Sequence, residues 1–203
     1  MAFKLFGCGL PRSGTSTLIY ALRRAGLNAA HGRACTGAEP LGVALLRAFL
    51  ERRDPLYYVP RGVEALADPY VTRATDWELA SCWPTISPGF LESFRAHHPD
   101  AWVVLTYREP ASWLDSVRRW KDLRVRLIKA DLPFLPRNSG ADDATVIEWV
   151  ESYYERVRKA FAADPKFLEI DIVGQSDAAC TALGDALGIS LPWWGVRNAG
   201  PRA

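Results

Sequence analysis

The sequence predicts a three-layer α/β sandwich, with a mainly parallel central sheet between two layers of helix. Three observations carry that expectation. Short apolar runs alternate with amphipathic stretches of helical length, and strands separated by helices pair in parallel because each helix returns the chain across the sheet. The first apolar run, residues 3–8, enters a turn of glycine, proline and hydroxyl residues that opens directly into a helix. Another, residues 101–107, ends in Arg108-Glu109-Pro110, where a helix again begins.

Taken in order, residues 3–8 read as a buried strand and 15–25 as a helix with Leu18, Ala21, Leu22 and Ala25 on one face. Gly26 closes that helix, and 27–31 form a short strand running into a polar loop over 31–39. Pro40 opens a helix to about Arg53, its inner face Leu41, Leu45 and Ala48. Residues 54–69 read as irregular with one helical turn over 62–66, and 70–75 as a strand delivering Asp76 and Trp77 at its C-terminal end. A helix is expected over 88–97, with His97 and His98 facing solvent at its end. The buried strand 101–107 follows, then one helix from Pro110 to about Lys129 with Trp113, Val117, Trp120 and Leu127 at core spacing. Residues 130–143 read as a loop long enough to gate an acceptor. The remainder reads as a helix over 145–162, a strand over 166–172, a helix to Leu187 capped by Ser176, and the tail LPWWGVRN.

With 203 residues, 49% of them hydrophobic, the chain suits a single domain, 1–203. The 25 basic and 23 acidic residues leave a net charge of +2, too little for a nucleic-acid or anionic-membrane partner, so any anion site is local. Cys8, Cys35, Cys82 and Cys180 form no CxxC pair and have no histidine at ligand spacing, which argues against a metal centre. No signal peptide or membrane anchor is evident at the start, and a cytoplasmic location is expected.

The chemistry centres on the first turn. Gly9 and Gly14 let the backbone bend tightly and approach a ligand, and the free N–H groups at the start of the next helix attract an anion. This makes the fold one of the phosphate-loop (P-loop) nucleotide-binding type. An ATP or GTP loop reads GxxxxGK[ST], but Thr15 stands where its lysine belongs. The dinucleotide fingerprint GxGxxG fails too, because Arg12 occupies its third glycine position. What is left is one cation, Arg12, beside the hydroxyls of Ser13, Thr15, Ser16 and Thr17. That set suits a smaller anionic group held without an obligatory Mg²⁺.

Pro11-Arg12-Ser13-Gly14-Thr15-Ser16 resembles the 5′-phosphosulfate loop of the PAPS-dependent sulfotransferases. The stretch from Val103 to Pro110, followed by Ser116 eight residues after Arg108, resembles that family's 3′-phosphate motif. The resemblance implies transfer of a sulfuryl group from PAPS (3′-phosphoadenylyl sulfate) to a hydroxyl or amine, with 3′,5′-ADP as product and no metal. It implies that Pro11, Arg12, Ser13, Gly14, Thr15, Ser16 and Thr17 hold the 5′ end, and Arg108 and Ser116 the 3′-phosphate, with Arg197 reaching in from the tail. Arg12 would also stabilise charge in the transition state. The plain alternatives are a surface arginine at 12, an Arg108–Glu109 pair and an ordinary helix serine at 116. Ser112 reads as a helix-start residue.

A general base has three candidates. Asp76 occupies the place of a strand-end histidine in the cytosolic branch of that family, while His31 and Glu39 lie near the glutamate that other branches carry after the second strand. Each has an ordinary counterpart as a turn cap, loop histidine or helix cap. Trp77, Trp193 and Trp194 are candidate adenine platforms that serve equally well as core. The acceptor is a small molecule, a carbohydrate or another hydroxyl or amine compound, its pocket shaped by loops 32–39, 54–69 and 130–143. Two other readings stand beside this one: a P-loop kinase for a small molecule, and a non-catalytic nucleotide-binding protein of the same fold.

Overall fold

The computed structural model describes residues 2–32, 40–74 and 79–195. Five strands form a parallel sheet in the order β2-β3-β1-β6-β7: β1 is Leu5–Gly7, β2 Ala29–His31, β3 Ala65–Ala67, β6 Trp102–Tyr107 and β7 Phe167–Asp171. Alternation within strands divides the core into two layers, because successive side chains point to opposite faces. Phe6, Val103 and Leu105 join a cluster built with Leu45 of α2 (Leu41–Leu50), Phe94 of α3 (Pro88–His97), Trp113 of α4 (Pro110–Arg118), Leu127 of α5 (Leu123–Lys129) and Tyr153 of α6 (Asp143–Ala160). Leu5 and Val104 join the other, with Leu18 and Leu22 of α1 (Thr15–Arg24) and Leu183 of α7 (Ser176–Leu187). The expected three-layer α/β sandwich is present.

Strand order locates the place where a ligand fits. After β1 the chain crosses to β2 on one side of the sheet, and after β6 it crosses to β7 on the other. The loops leaving β1 and β6 therefore diverge and open a crevice beyond their C-terminal ends. No helix among the described residues is long and apolar enough to cross a membrane.

Four expectations are corrected. The helical turn expected over 62–66 is instead β3, the strand beside β1. Ala65, Leu66 and Ala67 favour helix by composition, but full burial against a glycine decides: a Cβ on Gly7 would lie 2.5 Å from Ala67 Cβ, so the two strands pair closely. The strand expected over 70–75 is β4 (Val71–Ala74), which pairs antiparallel with β5 (Leu79–Cys82) in a separate two-stranded sheet. The reasoning that brought Asp76 to the end of a central strand therefore fails, and Asp76 itself lies outside the described residues. The helix expected from Pro110 to Lys129 breaks after Arg118 and restarts at Leu123, with Lys121 left-handed at φ 46°. Finally, His98 is not solvent-facing: its Nε2 lies 2.7 Å from Asp54 Oδ1 and its ring packs on Phe3 and Phe94.

Candidate active site

The loop after β1 is held down at both edges. A Cβ on Gly9 would overlap Thr106 Oγ1 and sit 2.6 Å from the Thr106 carbonyl, so only glycine lets the loop lie on the end of β6. Ser13 Oγ donates to the Leu10 carbonyl at 2.6 Å and lies 2.7 Å from Thr106 Oγ1, while Trp113 Nε1 donates to the Pro11 carbonyl at 2.6 Å. Beneath the loop, the Cys8 carbonyl accepts from Tyr70 Oη at 2.9 Å and also from Tyr153 Oη. Burial pushes both phenols well above their usual range, so they remain neutral donors. Left-handed backbone at Arg12 (φ 73°) and Gly14 (φ 100°) then turns the chain into α1. Gly14 at the N-cap offers no side chain to cap that helix, and first-turn N–H groups of a helix lack intrahelical acceptors.

Two arginines close the crevice from opposite motifs. Arg12 Nε donates to Ser116 Oγ at 3.2 Å and its guanidinium lies 4.1 Å from the centre of the Trp120 ring. Arg108 Nη1 donates to the Arg12 carbonyl at 3.0 Å and its Nε to Ser112 Oγ at 3.1 Å. Glu109 is occupied elsewhere, accepting from the Ala111 and Ser112 backbone N–H groups as the cap of α4. The pairing of Arg108 with Glu109 is thus absent. Burial, then the charges of Arg108 and Arg119, lower the Arg12 pKa; burial, then Arg119, lower that of Arg108. Ser112, Ser116 and Arg119 follow one another at helical spacing, so α4 and its cap turn one polar stripe toward both arginines.

A second group lies across α1 at the ends of β2 and β3. His31 Nε2 is 3.3 Å from Ser16 Oγ and 3.5 Å from Asp68 Oδ2. Asp68 follows β3 in left-handed backbone, φ 60°. Burial raises its carboxyl pKa, while the charges of His31 and Arg12 pull it back. Of the other expected residues, Ser13 serves the loop's own shape and Thr17 Oγ1 donates to the Gly195 carbonyl at 3.0 Å. Trp193 packs edge-on against Tyr20, and Trp194 Nε1 donates to Ser176 Oγ. Glu39, Asp76, Trp77 and Arg197 lie outside the described residues. No group of three or more His, Cys, Asp or Glu among the described residues is arranged to hold a metal.

Residues 4–130, more than half of the 203, match the model of the sulfotransferase domain family. The chain belongs to that family. Two solved structures share the fold of this sulfotransferase at low identity. The sulfotransferase from Alicyclobacillus acidocaldarius is 12% identical with a TM-score of 0.56, over 100% of this chain and 87% of that one. The sulfotransferase domain from the curacin biosynthetic pathway is 15% identical with a TM-score of 0.51, over 95% of this chain and 75% of that one. No curated protein sequence matches the chain.

Every residue brought together in the crevice of this sulfotransferase falls inside the matched 4–130: Arg12, Ser16, His31, Asp68, Arg108, Ser116 and Arg119. Sequence reasoning missed two of them. Asp68 was hidden because 65–67 did not read as a strand, although an aspartate before Pro69 after three apolar residues marks a strand end. Arg119 was legible as the third member of the 112, 116, 119 spacing.

Proposed function

We propose that this sulfotransferase takes its sulfuryl group from PAPS and passes it to a hydroxyl or amine acceptor, working as a single catalytic domain. The observation that carries the reading is the interlock of Arg12 and Arg108 at the crevice between β1 and β6. It suits a ligand with two anionic ends: first-turn N–H groups and Arg12 for one, Arg108 with Ser116 and Arg119 for the other. The donor set fits, because, after burial, the charges of Arg108 and Arg119 lower the proton affinity of Arg12 and the charge of Arg119 lowers that of Arg108, and a polyanion relieves that repulsion. PAPS, when bound, supplies the sulfuryl group and departs as 3′,5′-ADP.

The chain's own part is positioning and charge. Arg12, stacked on Trp120 and steered by Ser116, presents a fixed planar donor to an oxygen that gains negative charge. Losing one such preorganised donor costs roughly 3–4 kcal/mol in the barrier. His31, partly exposed at the end of β2, is the proton acceptor for the incoming hydroxyl. Thr15 in place of the Walker lysine disfavours kinase chemistry.

A thermal-shift comparison tests this. A ligand at about 100 times its dissociation constant adds about 2.7 kcal/mol to stability. 3′,5′-ADP is expected to give a large upward shift, 5′-AMP and ATP with Mg²⁺ small ones, and Arg108→Ala to erase the difference. Incubation with sulfur-labelled PAPS and a panel of hydroxyl and amine acceptors then reads transfer directly. Equal shifts for all three nucleotides, or Mg²⁺-dependent ATP turnover, would overturn the assignment.

A further inference from the structure

Asp68 is a costly residue in its place. Its side chain is 22% exposed, its backbone is left-handed, and its Oδ1 is fully buried with no hydrogen-bond partner among the described residues. A carboxylate oxygen kept from both water and donors destabilises the fold, and a non-glycine residue at positive φ adds strain. Oδ1 is shut away, and Oδ2 faces His31 Nε2 at 3.5 Å, so the described partner of the carboxylate is the histidine.

The ring's two nitrogens have different surroundings. Nε2 faces two oxygens, Asp68 Oδ2 and Ser16 Oγ, and an ionised carboxylate only accepts. No described residue bonds Nδ1, and the side chain is 27% exposed. Among the described residues, the charged group that faces the pair from another element is Arg12 of the first loop. From the placement of these groups we infer that Asp68 is a positioning residue that keeps the proton of His31 on Nε2 and so leaves the Nδ1 lone pair as the base. Separations of 3.3–3.5 Å are those of a catalytic pair that tightens when substrate closes the site. As the acceptor O–H bond breaks, its proton goes to Nδ1 and the oxygen's electron pair forms the bond to sulfur; the bond from sulfur to the donor's phosphate oxygen breaks, and that oxygen leaves with the pair. Asp68 then faces an imidazolium whose charge it offsets.

The inference rests on the sulfuryl-transfer reading for its rate arm only. Asp68→Asn is the right variant, because asparagine accepts positive φ and nearly preserves the shape. It is expected to lower kcat about 10- to 100-fold, short of the roughly 10²- to 10⁴-fold worth of a general base, with 3′,5′-ADP affinity and thermal midpoint undiminished. In a His31→Ala background the same change is expected to lower the rate no further, since residues acting as a unit are non-additive. Long-range proton–nitrogen NMR resolves the tautomer without any turnover, and with three histidines in the chain assignment needs only His31→Ala. The wild type should show the Nε2–H form of His31, and Asp68→Asn should diminish it. An Nδ1–H tautomer in the wild type, or an undiminished effect of Asp68→Asn without His31, would overturn the inference. A wild type that ignores both PAPS and 3′,5′-ADP would sink the functional reading instead, and the NMR result would still decide this one.

Discussion

Arg108 donates from Nη1 to the backbone carbonyl of Arg12 at 3.0 Å, so the cation of the second motif sets the conformation of the first. Arg12 reciprocates by reaching Ser116 on the helix that follows Arg108. The two motifs, 96 residues apart in the chain, are one structural unit, and perturbing either should be felt at both.

Ser116 is the smallest test of that unit. It is 3% exposed and holds Arg12 Nε at 3.2 Å; a hydrogen bond to a charged group contributes about 1.5–3 kcal/mol. Ser116→Ala should weaken 3′,5′-ADP binding by roughly 10- to 150-fold, read by titration calorimetry, and should also lower kcat because Arg12 loses its orientation. Weakened binding with kcat unchanged would separate the motifs.

Gly9 should not tolerate a methyl group. A Cβ there meets the Thr106 side chain and, at 2.6 Å, its carbonyl, and overpacking of this kind costs typically about 1–3 kcal/mol. Gly9→Ala should therefore lower the urea midpoint and abolish nucleotide binding. Adding Thr106→Ala should not rescue it, because the carbonyl remains. Full rescue by that second change would show the loop free to shift.

Tyr70 and Tyr153 back each other up beneath the loop. Both hydroxyls donate to the Cys8 carbonyl, and each lies near Thr85 Oγ1, at 2.7 Å and 3.1 Å respectively. Each single change to Phe should cost about 0.5–1.5 kcal/mol. The double change should cost more than the sum, since it leaves the buried carbonyl of Cys8 without either hydroxyl. Denaturation midpoints of the four proteins measure the coupling.

Two carboxylates should respond to pH with opposite sign. Glu64, at the other end of β3, accepts from the Asn28 backbone N–H at 3.1 Å and pairs with Lys4 at 3.0 Å, and these hold its pKa below the usual carboxylate range. Its stabilising contribution is present above the unfolded value and fades as pH falls through the folded one. Asp68 is raised by burial, so its contribution is present in acid and is lost as pH rises through its folded value. Glu64→Gln should thus lower the midpoint at neutral pH and Asp68→Asn should raise it, with both differences shrinking on acidification. Urea midpoints across pH 3–8 would show the two trends, and parallel trends would refute the assignment.

Where residues acted locally, the sequence was readable. Helix 88–97 was expected within the bounds observed for α3, because Pro88 starts it and Pro99 prevents its continuation. The tight turn over 9–14 was legible because its glycines and hydroxyls act within a few residues of one another. Residues 65–67 were not, since Ala-Leu-Ala carries no strand signal until β1 and β2 lie on either side of it. The break between α4 and α5 was equally invisible: Trp120 suits a helix by spacing, and it is the guanidinium of Arg12 that engages its face.

By itself the sequence determined the α/β class, the tight turn at 9–16 and the strand that ends at Arg108, because propensity, turn chemistry and motif spacing are properties of neighbouring residues. Only the tertiary structure decided which strand lies beside the phosphate loop, and with it that Asp68 rather than a more distant carboxylate meets His31 at 3.5 Å. Strand order and side-chain meetings across 37 positions, from 31 to 68, are set by how buried faces close on one another, and that long-range packing leaves no periodic trace in the chain.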